Sequence, residues 1–600
     1  MSKIVKTECL LRNRYIILRD ILKITKTRYL IEILKVILTI IKVVGAEIIL
    51  DKLIFDSLAA RSSFLLTNIY IILFFIIMSI DFIFKNWFNN VFIPKSDILI
   101  KSHVKEKIYS KLMIMDLQLY DDPDFYNKKI WACNDIDGRY IQILNTFFCM
   151  VSSVLTFIVL IISSLILEPM LLVFAVVFTG STIWLNKYYS KANYEFEKNS
   201  VFIKRCMEYP KTIFFSVSSA KDIRITGLPQ LLKYKYKESF YTYQKIIGNY
   251  GKKKAVISLF LLCIELLFGN WIPLLFVASK AILLKTYSVG TVSASISVIS
   301  SLRKSVKNIL DSIAQIQEQS LYIANYMEFN SYINNIKENE SGIEPLYKAN
   351  SIKLENVSYR YPNQDKYILK NININIKSGE KVAFVGHNGA GKTTLIKLIL
   401  RLYLPQEGVI YLDEKPQDTY KLKLLRERFG VIFQDFQLYA LNVFENVLMN
   451  SSIFNESNIS TVNYALRRSG IYDRIYQEKY TIKTQLLKDY DKDGLILSGG
   501  QAQKLALSRI FAKECGVIIM DEPSSALDPK SEYGIFKSML DVAKDKTLIL
   551  ISHRLSSTKD VDKIYFFENG QVMEEGSHDE LMKKNGKYAS MFLLQAKTYI

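Results

Sequence analysis

Hydrophobic and polar residues are divided unevenly along this chain. In the first half, charge disappears over stretches close to the length a helix needs to cross a bilayer, about 20 residues. Residues 62–80, 140–167 and 169–186 contain no Asp, Glu, Lys or Arg. Residues 255–279 carry one acid, Glu265, and residues 286–302 are uncharged. Residues 29–55 keep an apolar rhythm broken by Glu32, Lys35, Lys42, Glu47 and Asp51. This pattern predicts six membrane-spanning helices, the first the most charged. Beyond 321 the texture changes: Asn, Lys, Glu and Tyr dominate as far as 350, and then short apolar runs alternate with helical ones. The expected divisions are an N-terminal segment 1–28, a helical membrane domain 29–320, a linker 321–350 and an α/β domain 351–600.

Composition sharpens that reading. Half of the 600 residues are hydrophobic and only 12 Pro and 24 Gly interrupt them, which excludes a disordered chain. Lys and Arg outnumber Asp and Glu by 78 to 58, a net charge of +20. With a positive mean hydropathy, that excess points to basic flanks at a lipid surface and argues against a nucleic-acid partner. Ahead of the first span stand Lys3, Lys6, Arg12, Arg14, Arg19, Lys23, Lys26 and Arg28 against Glu8 and Asp20, so the N-terminus is expected in the cytoplasm. Alternation then places the Lys-rich segments 85–139 and 187–254 on the same side. The first apolar stretch is too long and too charged for a signal-peptide core and is expected to be retained. The six cysteines (Cys9, Cys133, Cys149, Cys206, Cys263 and Cys515) form no CxxC and have no ligand spacing to the histidines. Neither a disulfide scaffold nor a structural zinc site is expected.

The second half carries the chemistry. Residues 381–385 (KVAFV) read as a buried strand and 392–404 as a helix stopped by Pro405. Between them Gly386, His387, Asn388, Gly389, Ala390, Gly391, Lys392 and Thr393 complete GxxxxGK[ST], followed by Thr394. Glycines let successive amides turn inward around phosphate oxygens at a helix start, Lys392 adds a positive charge, and Thr393 offers a hydroxyl to Mg2+. A second apolar strand, 517–520, ends in Asp521 and Glu522: the first suits a metal, the second can polarise an attacking water. A third, 547–551, delivers Ser552 and His553 to the same sheet edge, His553 at the place of a γ-phosphate sensor.

The string Leu497-Ser498-Gly499-Gly500-Gln501 precedes the acidic strand. With these motifs the chain resembles an ATP-binding-cassette transporter of the exporter type, a half-transporter. The implied fold is an α-helical six-span transmembrane domain followed by an α/β phosphate-loop ATPase domain, and the implied cofactors are ATP and Mg2+. By that resemblance Tyr361 stacks on adenine, with Tyr359 its rival or a strand-core residue. Gln434 touches Mg2+ with Thr393 and Asp521, Glu522 is the general base, and His553 is the switch histidine. Ser498, Gly499, Gly500 and Gln501 close over the nucleotide of a partner, and Asp528, in Ser525-Ala526-Leu527-Asp528, belongs to a loop crossing the dimer interface. Residues 121–126 and 220–224 look like the two cytoplasmic loops that seat on nucleotide domains.

The resemblance also implies a dimer, since a signature cannot reach its own nucleotide. The intact motifs favour two copies of this chain over a heterodimer. The expected function is ATP-driven export across a bacterial cell membrane, of a peptide-like or amphipathic small molecule. An ATP-gated or sensory subunit and an importer built on the same fold stay open as alternatives. The spans exclude a soluble cassette ATPase, and with about 28 residues ahead of them a Cys-His protease domain is not expected. Within the bilayer, Lys42 and Glu265 are expected to line the translocation path, because a lipid-facing charge there is costly; the alternative is that Lys42 pairs with a neighbouring acid.

Overall fold

The computed structural model describes residues 3–597 apart from 62, 123–124, 126–132, 134–135, 217–218, 284–286, 333, 335, 347, 349, 363, 478–479, 489–490, 523–528 and 553–557. The chain forms two compact units, Met1–Met113 with Lys128–Tyr332, and Ile114–Asn127 with Ile333–Ile600.

The first unit is helical. Four of its described helices are long and apolar enough to cross a membrane: Phe64–Ile114, Ile136–Leu167, Met170–Asn193 and Leu228–Ile282. They contain four of the six expected spans. The other two, 29–55 and 286–302, are helical over 29–55 and from Val289 onward, with 286 outside the described residues, but do not reach that apolar standard. The earlier one runs as Lys26–Ile41, a wider π-type stretch Lys42–Leu50, and Asp51–Ala59, and it carries the five charges noted above. The later one opens Val289–Ser331, where serines dilute the apolar residues. That helix continues past 320 to Ser331, so the segment expected as linker begins as helix.

Packing in this unit differs from that of a water-soluble bundle in burying hydroxyl residues beside apolar ones and exposing large apolar side chains. Along Ile136–Leu167 the buried positions include Ser153, Thr156 and Ser164, whereas Ile158, Ile162, Leu165 and Ile166 are exposed. Small and hydroxyl-bearing residues let helices approach closely, and the apolar residues are left to face hydrocarbon.

The second unit is built on two sheets. Strands β1 (Ile352–Tyr359), β2 (Leu369–Ile376), β4 (Glu407–Leu412) and β5 (Lys415–Pro416) form an antiparallel sheet of order β2-β1-β4-β5. The larger sheet contains β3 (Lys381–Gly386), β6 (Phe429–Ile432), β7 (Val517–Asp521), β8 (Thr547–Ile551), β9 (Lys563–Glu568) and β10 (Gln571–Gly576), in the order β10-β9-β3-β8-β7-β6. All neighbours in it are parallel except β10 on β9. Both β7 and β8 are buried throughout, as a sheet covered on two faces requires. The strand period of two divides them: Ile519, Ile549 and Ile551 join one core with Phe384 and Leu395, while Ile518, Met520, Leu548 and Leu550 join another with Leu505 and Met539. Because β8 lies between β3 and β7, the chain leaving these three strands emerges along one edge, where open α/β sheets bind ligands.

The segment Ile114–Asn127 belongs to this unit although it lies among the helices in sequence. Asp116 accepts the Ile336 amide, Phe125 is buried, and the Tyr403 hydroxyl donates to Asp121. Of the expected loop 121–126, residues 123, 124 and 126 lie outside the described residues. The second expected loop, 220–224, falls in the helix Ala220–Ile225 of the first unit.

Candidate functional site

The phosphate loop forms at the end of β3 because its glycines accept a backbone other residues would resist. Gly386 has φ +147°, and a Cβ there would lie 2.1 Å from the Phe567 carbonyl oxygen on neighbouring β9. Gly391 caps the helix Lys392–Ile399 in the left-handed region, φ +95°, against the Leu369 side chain. Gly389 is left-handed too, and Ala390 is buried. His387 and Asn388 lie in the exposed part of the loop.

Lys392 is buried, and its Nζ donates to the Gly386 and His387 carbonyls at 2.7 and 3.0 Å. Burial lowers its pKa, and Glu522 and Asp521 oppose that shift. Thr393 Oγ1 donates to Asp521 Oδ2 at 2.9 Å and so joins the loop after β3 to the end of β7. Asp521 is 1% exposed, and its Oδ1 is buried without a hydrogen-bond partner among the described residues. Burial raises its pKa, Thr393 opposes, and the neighbouring Glu522 adds to the rise. Glu522 turns out of the strand with φ +49°. Its Oε2 accepts from Gln434 Nε2 at 2.7 Å, an arrangement that commits the amide nitrogen and leaves Gln434 Oε1 as an acceptor. Thr393 Oγ1, Asp521 Oδ1 and Gln434 Oε1 make an oxygen-only set, the chemistry of a hard divalent cation. The unpartnered buried Oδ1 fits such an ion, since a buried carboxylate oxygen is otherwise costly.

The aromatic pair separates cleanly. Tyr359 is fully buried in β1 and stacks on Tyr403, ring centroids 5.3 Å apart, so it is strand core. Tyr361 is half-buried, packs edge-on against both rings, and its hydroxyl lies 3.0 Å from Thr394 Oγ1 at the start of the phosphate-loop helix. Tyr403 was not foreseen: no motif marks it, and its role appears only once the strands are assembled. Burial raises its pKa, and Asp121 reinforces the rise.

Ser498 caps the helix Gly499–Phe511, accepting from the Gln501 amide while Gln501 Oε1 accepts from the Ser498 amide. Gly499 and Gly500 occupy the first turn, where amide hydrogens point outward from the helix. Among the described residues, no hydrogen bond links this helix start to the phosphate loop. Asp528 and His553 lie outside the described residues, as do 523–527, while Ser552 at the end of β8 is buried.

The two charges expected along a translocation path are both paired. Lys42 lies 3.3 Å from Glu47 and 3.7 Å from Asp81, and Asp81 also binds Lys85 at 2.8 Å. Glu265 faces Arg303 at 3.7 Å. The geometry matches the alternative reading for Lys42, pairing with acids.

Residues 369–525 match the ABC transporter family model. The subtilin transport ATP-binding protein SpaT of Bacillus subtilis is 30% identical over 511 residues, 81% of this chain and 78% of that protein. The nisin transport ATP-binding protein NisT of Lactococcus lactis subsp. lactis is 33% identical over 307 residues, and the ATP-dependent lipid A-core flippase of Alkalilimnicola ehrlichii is 32% identical over 323. Those two alignments span about half of each protein: 51% of this chain and 50% of NisT, 54% of this chain and 53% of the flippase. In fold, a bacterial Atm1-family ABC exporter with ATP bound matches with a TM-score of 0.74 at 20% identity, covering 96% of this chain and all of that one. Membrane-length helices ahead of a phosphate-loop ATPase fold, matched along four-fifths of a transport protein, place this chain in the ABC transporter family, with the exporter arrangement of one membrane domain and one nucleotide-binding domain.

Proposed function

We propose that this chain exports a peptide-like cargo across a bacterial plasma membrane as a dimer of two identical copies, with the nucleotide-binding domain in the cytoplasm and Mg2+ as the metal of the ATP site. The observation that carries the ATPase half of this reading is the Thr393–Asp521 bond, which brings the phosphate loop and the acidic strand end to one place. The relatives named for subtilin and nisin transport, both peptides, support the cargo class.

The residues divide the work. Amides of Gly389 to Thr393 and the Lys392 ammonium bind the phosphates, and the Tyr361 ring faces the base. Thr393, Asp521 and Gln434 would hold Mg2+, which when bound polarises phosphoryl oxygens as a Lewis acid. Gln434 orients Glu522, whose carboxylate accepts the proton of the attacking water. Ser498, Gly499, Gly500 and Gln501 of one copy complete the site on the other, with Asp528 at the interface and His553 at the γ-phosphate. Each state of the cycle must then be stabilised by what it binds.

ATP-dependent accumulation of a labelled peptide in inside-out vesicles tests the function. ATP hydrolysis without accumulation would favour the gated or sensory alternative, and accumulation of lipid alone would favour a flippase.

A further inference from the structure

We infer that a polar cavity between the helices Ile136–Leu167 and Val289–Ser331 is the recognition site for the cargo, and that it reads a neutral, amide-rich chain. This deepens the peptide-export reading and rests on it.

The cavity measures about 420 Å³, within the range of about 300–1,000 Å³ that ligand sites occupy. Its described lining holds no aliphatic or aromatic residue and includes Arg139, Gln142, Asn145, Thr146, Gln315 and Gln319. On the first helix Gln142, Asn145, Thr146 and Cys149 stand at i, i+3, i+4 and i+7, one face of a helix. On the second, Gln315, Glu318 and Gln319 repeat the i, i+3, i+4 spacing. The whole of the first set lies inside the uncharged stretch 140–167, where a membrane domain carries polar side chains at a cost and uses them.

The site is built, not incidental. Thr146 is 3% exposed and donates to Gln315 Oε1 at 3.0 Å while accepting from Gln319 Nε2 at 3.1 Å. Two arginines behind it fix the amides: Arg28, fully buried, donates to Asn145 Oδ1 at 3.2 Å, and Arg14 donates to Gln319 Oε1 at 3.3 Å. Gln142, Asn145 and Gln315 remain exposed to the cavity, each with donor and acceptor capacity.

Charge selects among ligands. Arg139 and Glu318 face each other at 3.7 Å, so these two wall charges offset each other. A phosphate headgroup would meet a carboxylate there, and an acyl chain would strip water from the three exposed amides without replacing their hydrogen bonds. Backbone amides, alternating donor and acceptor, match the wall.

Cys149, exposed on the cavity wall, reports on occupancy. The full-length protein in nanodiscs is treated with N-ethylmaleimide with and without a tryptic digest of casein, and labelling at each cysteine is followed by mass spectrometry. The expected result is a slowing of Cys149 labelling by fivefold or more, with Cys263, also exposed, unaffected. Phosphatidylglycerol added in place of the digest should leave Cys149 unprotected. Gln315→Leu should raise the digest concentration for half-protection about tenfold. Unchanged Cys149 labelling overturns the assignment, as does protection by the lipid alone or a Cys149 that does not react even without peptide, which would place the stripe in a subunit contact. If the digest stimulates ATP hydrolysis but spares Cys149, the peptide reading stands and the cavity falls. If it does neither, both fall.

Discussion

Thr393 and Asp521, separated by 128 positions in the chain, meet through a 2.9 Å hydrogen bond. The contact exists because β8 separates β3 from β7 in the sheet, which leaves the loop after one strand within reach of the carboxylate ending the other. Asp521 is thereby held with one oxygen engaged and the other without a partner among the described residues.

Beside it, Glu522 is held by Gln434 at 2.7 Å. Glu522→Gln keeps the shape of the side chain and removes its capacity to accept a proton. ATP binding should persist while hydrolysis slows by about 10² to 10⁴, the range for a positioned base. Turnover within twofold of wild type would show that the proton goes elsewhere.

Pairing of two copies predicts complementation. Lys392→Ala disables the phosphate loop and Ser498→Arg blocks the first turn of the signature helix. Mixed dimers should regain one working site, and ATPase assays of mixtures against each variant alone check this. A mixture as inactive as its parts would require another partner chain.

Tyr361 offers a ring and a hydroxyl that can be separated. Tyr361→Phe loses the contact with Thr394 Oγ1 but keeps the face, so ATP affinity should change little. Tyr361→Ala should weaken binding by about 5- to 150-fold, since aromatic–base stacking contributes about 1–3 kcal/mol. Equal effects of the two variants in an equilibrium binding assay would assign the role to the hydroxyl.

At Gly386, a methyl group would collide with the Phe567 carbonyl at 2.1 Å in a left-handed backbone region. Gly386→Ala should cost about 1–3 kcal/mol in backbone strain alone, seen as a lower Tm of the detergent-solubilised protein together with weaker ATP binding. An unchanged Tm would mean that β9 gives way.

The Lys42, Asp81 and Lys85 cluster gives an asymmetric expectation. Lys42→Leu leaves Asp81 paired with Lys85, whereas Asp81→Leu takes the partner from Lys85 and leaves Lys42 with Glu47. A lysine left without its acid beside hydrocarbon is costly, so Asp81→Leu should lower Tm and yield more than Lys42→Leu. If Lys42→Leu instead removes cargo-stimulated ATPase at unchanged Tm, its place on a transport path is restored.

The nucleotide site was legible because its chemistry is local. The eight consecutive residues from Gly386 to Thr393 carry the whole GxxxxGK[ST] pattern between a strand and a helix. Apolar runs near 20 residues likewise announced four helices of membrane length, because a bilayer imposes that length directly on the sequence. Other features depend on neighbours distant in the chain. Whether Tyr359 or Tyr361 stays accessible was decided by Tyr403 stacking on the former. Whether Lys42 stands open or paired was decided by Glu47 on its own helical stretch together with Asp81 on another helix. The stripe of Gln142, Asn145, Thr146 and Cys149 is visible as a helical period, yet only the facing Gln315 and Gln319, with Arg14 and Arg28 behind them, turn it into a walled cavity. Sequence determines which groups one helix or loop presents; tertiary packing decides which of them find partners, because burial makes an unpaired polar group too costly to leave to chance.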